Sequence, residues 1–435
     1  MTVAALSPDR PDIAGMHAAV RSGETSIGAL VAATLADIDL RDPALRSFIE
    51  LDRDTARGAA EESDARFAAG TARALEGVTI GVKSNIAVAG LEWNAGMGLR
   101  RGIVADRDAP CVARLRDAGA IILGTLNMHE AALGATTNNV WFGTAINPRR
   151  QGRTPGGSSG GSGAAVAAGF CIAALGTDTL GSIRIPAAYC GVLGLKPTNG
   201  TLSDDGLVPL ARSLDCIGPL ARSLDDVEAI WRAVSDRDDA PTLNRLVLLD
   251  GLGGVKCQPA VIAAYHRALA ALDRLDRAAL RLGDLAAIRT AGFVKSAREL
   301  STWLGKDRVE KAELLSSELR WLLDYADRAV ADPTLLAVTA TALREAIRDD
   351  GVLLLPTAPQ VAFEQGGRAP ANQADFTALA NVAGLPALSI PAGRDADGMP
   401  VAVQLIGPAH SEVALIALAR TLVARVDADA PLNPA

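Results

Sequence analysis

Two serines lie in glycine-rich turns only 24 residues apart in the chain. Ser158 lies within the turn GGSSGG, and Ser182 directly follows Gly181. Each turn leads into a segment whose pattern indicates the start of a helix, and a helix N-terminus offers unpaired backbone N–H groups and a partial positive charge. Because a developing oxyanion is stabilised by such groups, the pattern indicates nucleophilic acyl transfer by a serine.

A flexible linker and a phosphate-binding loop are the alternative interpretations of the first turn. Gly/Ser composition is typical of linkers, but here the glycines run straight into the apolar segment 164–175 with no second polar stretch. The phosphate-loop pattern GxxxxGK[ST] is absent, and so is GxGxxG following a strand. Both alternatives are therefore weaker than the serine nucleophile.

A lysine at the end of an apolar strand is the third unusual feature. The chain has only six lysines, and Lys83 ends the β-branched run 78–83, which predicts a buried strand. Most lysines are exposed. A lysine held beside an apolar strand is instead expected to be desolvated, which lowers its pKa and lets the neutral amine act as a base.

These three segments, GVKSN, GGSSGGSG and GTDTLGS, resemble the motifs of the amidase signature family. Its members are serine hydrolases of amides that use a Ser-Ser-Lys arrangement instead of Ser-His-Asp. The separations of 75 residues from Lys83 to Ser158 and 24 residues to Ser182 fit the family pattern. The resemblance implies that Ser182 is the nucleophile, Ser158 the proton relay and Lys83 the base. It is weakest between residues 243 and 350.

The resemblance also implies an oxyanion hole formed by the backbone N–H groups of Thr179, Leu180 and Gly181. Leu180 replaces the first glycine of the family's usual DTGGS. A glycine with positive φ would resist this replacement, whereas one in an ordinary backbone region would not. We expect the leucine to narrow or reshape the acyl pocket without abolishing catalysis. Ser84, where the family often has Asp, is a second departure.

The segment NMHE resembles the family's NMxE segment at the substrate pocket. Met128, His129 and Glu130 are therefore candidates for lining that pocket. His129 invites a Ser-His pair, but no Asp or Asn at a known triad spacing supports one, and the lysine already supplies a base. We predict that His129 lines the pocket or has a structural role.

The order of predicted elements indicates an α/β fold with a mixed central β-sheet covered by helices. The resemblance implies the amidase signature fold, with helices on both faces of that sheet. We expect a single domain over residues 1–435, with a core at about 70–240 and 350–425. A variable, mostly helical cover is expected at about 243–350. Helix packing, rather than a stacking platform, is the predicted role of three aromatic residues of the cover: Trp303, Trp321 and Tyr325.

Composition restricts the compartment and the partners. Apolar residues make up 49% and charged residues 21% of the chain, which is ordinary for a globular protein. The net charge of −7 gives no electrostatic footprint for nucleic acid. Neither a signal peptide nor an apolar stretch of bilayer length is visible, and the five cysteines form no CxxC pair, so a cytoplasmic protein is expected.

The histidines are scattered, so no metal and no cofactor are predicted. The expected partner is a small-molecule amide, with neither nucleic acid nor membrane, and a homodimer is one assembly to expect. Three alternatives stay open beside a free-standing amidase. The first is the amidase-like component of an amidotransferase, whose partner protein would have to deliver its ammonia. The others are a non-catalytic binding protein, suggested only by Leu180, and a nucleotide-binding module, which lacks its motif.

Overall fold

A computed structural model describes residues 11–429 of the chain. Within these residues one sheet of eleven strands is surrounded by fourteen α-helices. The strands are β1 (Phe48–Leu51), β2 (Thr79–Lys83), β3 (Ile121–Leu126), β4 (Ala173–Asp178), β5 (Leu193–Lys196), β6 (Cys216–Ala221), β7 (Arg245–Leu249), β8 (Asp276–Leu280), β9 (Gly351–Pro356), β10 (Ala387–Arg394) and β11 (Pro400–Ile406).

The helices alternate with these strands along most of the chain. They are α1 (Ile13–Ser22), α2 (Ile27–Leu45), α3 (Arg53–Ala68), α4 (Pro110–Asp117), α5 (Gly160–Ala167), α6 (Arg184–Cys190), α7 (Leu224–Val234), α8 (Pro259–Ala271), α9 (Leu285–Leu304), α10 (Asp307–Glu310), α11 (Ser317–Arg328), α12 (Pro333–Ile347), α13 (Ala378–Ala383) and α14 (Glu412–Asp429). None of the helices in this described range combines the length and apolar character needed to cross a bilayer.

The sheet mixes parallel and antiparallel pairs, which confirms the predicted α/β class. Its strand order is β1-β3-β2-β4-β6-β5-β10-β11-β9-β7-β8. Strand β2 runs parallel to both β3 and β4, whereas β10 and β11 form an antiparallel hairpin. The carboxyl ends of parallel strands meet at one edge of a sheet, so the residues that follow β2, β3 and β4 are brought together there.

The helix α5 lies close to this edge because its side chains are small. Its eight residues, GGSGAAVA, are all buried, and it packs on β2, β3, β4 and β6. Gly161 has no room for a side chain, since a Cβ there would lie 2.3 Å from the Asn127 carbonyl oxygen. A stretch that composition alone would assign to a linker is therefore a fully packed core helix.

The segment expected to be a mostly helical cover also extends the sheet. It contributes β7 and β8 in addition to α8–α12, and β7 pairs with β9, which follows the cover in the chain. Helices α9 and α11 pack on each other and on the loops beyond the strand ends. One buried apolar cluster joins these helices to the loops, through Met97, Met128, Leu133, Leu210, Leu300 and Leu323. The cover is thereby held against the edge where the candidate motifs lie.

Candidate active site

Lys83, the last residue of β2, is fully buried at the strand edge. Its Nζ donates hydrogen bonds of 2.7 Å to Ser158 Oγ and of 2.7 Å to Thr177 Oγ1. Burial lowers the pKa of Lys83 to about 7, against the opposing attraction of Asp215 and Asp178. A substantial fraction of neutral amine is therefore present near neutral pH, which a general base requires.

Ser158 is held in a turn that leaves no space for larger residues. The Gly157–Ser158 peptide bond is cis. A Cβ on Gly157 would lie 2.6 Å from the Thr136 amide nitrogen, so only glycine fits. The Thr137 hydroxyl, buried beneath the turn, accepts a hydrogen bond of 3.0 Å from the Gly160 N–H. These contacts fix the direction of the Ser158 side chain toward the end of β2.

The two serine turns are adjacent in space. The Ser159 N–H donates to the Ser182 carbonyl oxygen at 3.2 Å, and the Ser159 hydroxyl donates to the Thr177 carbonyl oxygen at 3.1 Å. Ser182 is partly exposed, whereas Ser158 is fully buried. The structure thus brings both predicted serines and Lys83 to one edge of the sheet, and Ser182 is the one of the three that is open to solvent.

A buried ion pair braces the turn that carries Ser182. The spacing of Asp178 and Arg184 predicts a partly buried pair; in the structure both side chains are fully buried, with contacts of 3.0 and 2.9 Å. Burial by itself would raise the pKa of Asp178, but the charge and hydrogen bonds of Arg184 lower it to about 2. Arg184 also donates to Gln404 and Asn381. The buried charges of Asp178 and Arg184 are therefore both paired and hydrogen-bonded, as a buried ion pair requires.

The predicted oxyanion turn has one amide already engaged. The Gly181 N–H donates to Asp178 Oδ1 at 2.7 Å. Among the described residues, the amides of Thr179 and Leu180 make no hydrogen bond to the protein. The Thr179 and Leu180 amides are consequently the better placed of the three to receive an oxyanion, and the assignment of all three stays a prediction.

Leu180 occupies an ordinary backbone region, since it is not among the described non-glycine residues with positive φ. Its side chain packs on α9 at Gly292, where an added Cβ would lie 3.0 Å from Leu180 Cδ2. The Leu180 carbonyl oxygen accepts a hydrogen bond of 2.7 Å from Thr377 Oγ1. The replacement of glycine is thus accommodated without backbone strain, and the side chain fills space beside the turn that carries Ser182.

Leu180→Gly is expected to shift substrate choice toward bulkier acyl groups. Removing the isobutyl group opens space next to Ser182, and differences of one methylene in a pocket change kcat/KM by roughly 10- to 200-fold. Amides of a series of increasing acyl volume, assayed for ammonia release, provide the measurement. Gly292→Ala, which presses on Leu180 from the opposite side, is the matched variant and should favour smaller acyl groups. Parallel changes across the whole series would contradict a role for Leu180 in acyl selection.

His129 lies against the Ser158 turn, and its side chain is buried. Its backbone N–H donates to the Ser158 carbonyl oxygen at 3.0 Å, and its ring Nδ1 lies 3.4 Å from Thr136 Oγ1. Burial, assisted by the neighbouring Lys83 charge, lowers the pKa of His129 to about 4. The imidazole is therefore neutral at physiological pH, and the described residues provide no carboxylate within hydrogen-bonding distance to complete a Ser-His-Asp triad.

The other two pocket candidates face different surroundings. Met128 is fully buried in the apolar cluster beneath the cover. The Glu130 carboxylate accepts hydrogen bonds from Trp141 Nε1 at 2.8 Å and from the Ser316 N–H at 3.2 Å. Glu130 thereby anchors the residue that caps the N-terminus of α11. In this structure the two side chains hold the loop and the cover in place, and pocket lining by either stays a prediction.

The sequence does not predict two polar groups that lie at this edge, Thr177 and Asp215. Thr177 in β4 accepts from Lys83 and also from Asn85 Nδ2, at 3.2 Å. The Asp215 carboxylate accepts from Thr179 Oγ1 at 2.5 Å, and burial of this carboxylate raises its pKa to about 6. A threonine in an apolar strand gives no sequence signal, but its place one residue before Asp178 would have put it at the carboxyl end of the strand.

Thr177→Val is expected to lower kcat about tenfold with little change in KM. A hydrogen bond between neutral groups contributes about 0.5–1.5 kcal/mol, the upper end of which is about tenfold, and losing it lets the neutral Lys83 amine move away from Ser158. Steady-state kinetics on one amide would measure the effect. Thr177→Ser keeps the hydroxyl and should retain most of the activity. A loss in Thr177→Ser with little loss in Thr177→Val, which keeps the methyl group, would contradict the hydrogen-bond role and point to packing of that methyl instead.

Comparisons with known proteins identify the family to which the chain is similar. The family model described as Amidase matches residues 29–281 and 288–416. Among curated relatives, the A subunit of the glutamyl-tRNA(Gln) amidotransferase of Prochlorococcus marinus (strain MIT 9313) is 34% identical, over 94% of this chain and 96% of that protein.

Two solved structures of similar proteins share the architecture. One belongs to a vestigial protein complex described as revealing the evolutionary origins of an s-triazine catabolic enzyme; it has a TM-score of 0.87 and 30% identity, over 98% of this chain and 100% of that one. The other is the peptide amidase of Stenotrophomonas maltophilia, with a TM-score of 0.80 and 30% identity, over 98% and 99% of the two chains.

A mixed sheet that gathers a buried lysine and two serine turns at one edge defines a serine-hydrolase type of site. The family match and these relatives show that the chain belongs to the amidase signature family. That family is one of enzymes acting on C–N bonds, typically through a Ser-Ser-Lys triad.

Proposed function

We propose that this protein hydrolyses a carboxylic amide to an acid and ammonia or an amine, through an acyl-enzyme on Ser182. The observation that carries the proposal is the 2.7 Å hydrogen bond between the buried Lys83 amine and Ser158 Oγ. A base with a pKa of about 7 that contacts a serine beside a second, partly exposed serine is suited to activating a nucleophile near neutral pH.

In the first step Ser182 Oγ forms a bond to the amide carbonyl carbon. Its proton moves to Ser158 Oγ, which gives its own proton to the neutral Lys83 amine. The carbonyl electron pair moves to oxygen, where backbone N–H donors of the 179–181 turn stabilise it. Removing one such donor costs about 3–4 kcal/mol of transition-state stabilisation in other hydrolases.

The second half of the reaction reverses these proton movements. The C–N bond breaks as Ser158 donates a proton to the leaving nitrogen and is reprotonated by Lys83. Water then attacks the acyl-enzyme, losing a proton along the same path, and the acid leaves as Ser182 regains its hydrogen. The balance needs only the amide and one water, so this chemistry requires no cofactor.

A partner-dependent component of an amidotransferase is the second candidate. It is favoured by the names of the relatives, which include the A subunits of several glutamyl-tRNA(Gln) amidotransferases. In that case the ammonia released from an amide such as glutamine would pass to another protein of the complex. The same residues would carry out the same acyl transfer, so the two candidates differ in the fate of ammonia and in the need for a partner.

Ammonia release by the isolated chain separates the two candidates. The purified protein is incubated with glutamine, asparagine and a panel of aliphatic, aromatic and peptide amides, and ammonia is quantified. Hydrolysis at ordinary enzymatic rates, of about 1 to 1000 per second, supports a free-standing amidase. Turnover that appears only when a protein co-purified from the source cells is added back supports the amidotransferase component. No turnover in either arm would contradict the proposal.

A further inference from the structure

Helix α11 presents a stripe of three side chains to solvent. We refer to Glu318, Trp321 and Tyr325 as the α11 stripe; their spacing of three and four residues places them on one face of the helix. The Glu318 side chain is 55% exposed, Trp321 is 60% exposed and Tyr325 is 39% exposed. The opposite face of α11 is buried in the apolar cluster beneath the cover, through Leu319, Leu323 and Ala326.

One end of the stripe contacts the first serine motif. Glu318 Oε1 lies 3.8 Å from His129 Nε2, and the His129 backbone N–H donates to the Ser158 carbonyl oxygen. The start of α11 is fixed to the same loop, because the Ser316 N–H donates to the Glu130 carboxylate. Glu318 is therefore held next to the loop that positions Ser158.

The other end of the stripe contacts α9, the helix on which Leu180 packs. The Tyr325 ring lies 6.2 Å from the ring of Phe293 on α9, measured between centroids. Phe293 directly follows Gly292, on which the Leu180 side chain packs. Leu180 is two residues before Ser182 in the chain. The α11 stripe thus lies against the loop of His129 at one end and against helix α9 at the other.

Within the described residues, no lysine or arginine forms an ion pair with Glu318 or Glu130. Within the described chain, His129 is the one ion-pair partner of Glu318, and with its pKa of about 4 it is neutral at pH 7. A distance of 3.8 Å is also too long for a hydrogen bond. Burial raises the pKa of Glu318 and of Glu130, and the Glu318 charge adds to the rise at Glu130. A cation placed beside the two carboxylates would relieve this repulsion.

The aromatic rings add a second attraction for a cation. Trp321 and Tyr325 stack with centroids 6.0 Å apart and an interplanar angle of 23°, while both remain exposed. Tyr325 packs on another helix through its contact with Phe293, as expected. Trp321 is instead exposed and stacks on Tyr325 of its own helix. Trp303 differs, since the Arg100 guanidinium covers its ring at 5.8 Å. The faces of Trp and Tyr attract cations through the negative charge of their π-systems.

We propose that the α11 stripe is a substrate subsite that binds a positively charged ammonium or guanidinium group of the amide. The inference rests on the proposed amide hydrolysis and names the class of substrate for it. Glu318 supplies the charge, and the Trp321 and Tyr325 rings supply the surface on which the cationic end lies. The reacting carbonyl is then at Ser182, with the cationic group at the α11 stripe.

Isosteric amides test the charge preference directly. In each of three chain lengths, an ω-amino amide is compared with the alkyl amide of equal length and with the ω-carboxy amide; 5-aminopentanamide, hexanamide and adipamate form one such set. We expect kcat/KM to fall in the order cation, neutral, anion, with about tenfold or more between the first two at the best length, a ratio that corresponds to about 1.4 kcal/mol.

Two variants assign the preference to the stripe. Glu318→Gln should reduce the cation-to-neutral ratio of kcat/KM about tenfold, and Trp321→Leu should reduce it by about threefold, because exposed cation–π contacts are weak. Glu345→Gln removes an exposed carboxylate from α12 and is the matched control, with an unchanged ratio. A ratio near one in the wild type, or a ratio unaffected by Glu318→Gln, would overturn the subsite.

Binding to the Ser182→Ala variant separates this inference from the proposed function. Calorimetric titration with 5-aminopentanamide and hexanamide reports recognition without turnover. If this variant binds 5-aminopentanamide more tightly than hexanamide, and an added Glu318→Gln removes that preference, the subsite is supported even if no amide is hydrolysed. Hydrolysis by the wild type without any charge preference in rate or binding would leave the amidase proposal standing and reject the subsite.

Discussion

Replacing Ser182 by alanine is expected to lower kcat by about 10⁴-fold or more, because the bond to the substrate carbonyl carbon can no longer form. Ser182 is the partly exposed member of the serine pair, whereas Ser158 is enclosed and engaged by Lys83. An attacking group has to reach solvent-borne substrate, so the geometry favours Ser182 as the nucleophile. Steady-state ammonia release from the best amide of the panel provides the measurement.

A fluorophosphonate adduct identifies the attacking oxygen independently of substrate. Incubation of the wild type followed by peptide mass spectrometry should give one adduct, on Ser182, and none in Ser182→Ala. Ser203→Ala, which removes an exposed hydroxyl elsewhere, is the control and should label and turn over normally. Labelling of Ser158 in the wild type, or full activity in Ser182→Ala, would reverse the assignment of the two serines.

The sequence predicts the site to the extent that its residues end predictable elements. Lys83 closes a β-branched run, and the serines lie in glycine turns before helices, so both the strand end and the turns are visible in the pattern. The parallel pairing of β2 with β3 and β4 then explains why segments 75 and 94 residues from Lys83 contact it. Spacing in the chain alone does not predict that pairing.

The parts that escaped prediction depend on tertiary contacts. Thr177 and Thr137 are ordinary threonines in sequence, and only the fold turns their hydroxyls toward Lys83 and the Gly160 amide. The sequence pattern does not predict strand β8, because its residues, DRAAL, are mostly exposed at the sheet edge and lack apolar alternation. The Asp178–Arg184 pair was visible, but its full burial required α13 and β11 to close over it, through Asn381 and Gln404.

Activity is expected to depend on pH through Lys83, which has to be neutral to accept a proton. Burial lowers its pKa from 10.5 to about 7, so the amine is mostly neutral above pH 7 and becomes protonated as the pH falls. We expect kcat/KM to be level at alkaline pH and to fall about tenfold per pH unit well below pH 7, since the free enzyme's base controls this limb. Initial rates between about pH 5 and about pH 9 measure it.

Lys83→Arg distinguishes a base from a hydrogen-bond donor. Arginine still donates to Ser158 but cannot be deprotonated in proteins, so the base interpretation predicts a loss of about 10³-fold or more in kcat, similar to that of Lys83→Ala. Lys306→Ala, at an exposed position of the cover, should leave the rate and its pH dependence unchanged. Thermal melts of each variant establish that it folds. If Lys83→Arg kept activity, or the wild-type rate stayed level down to about pH 5, Lys83 would act by orienting Ser158 and the proton would need another acceptor.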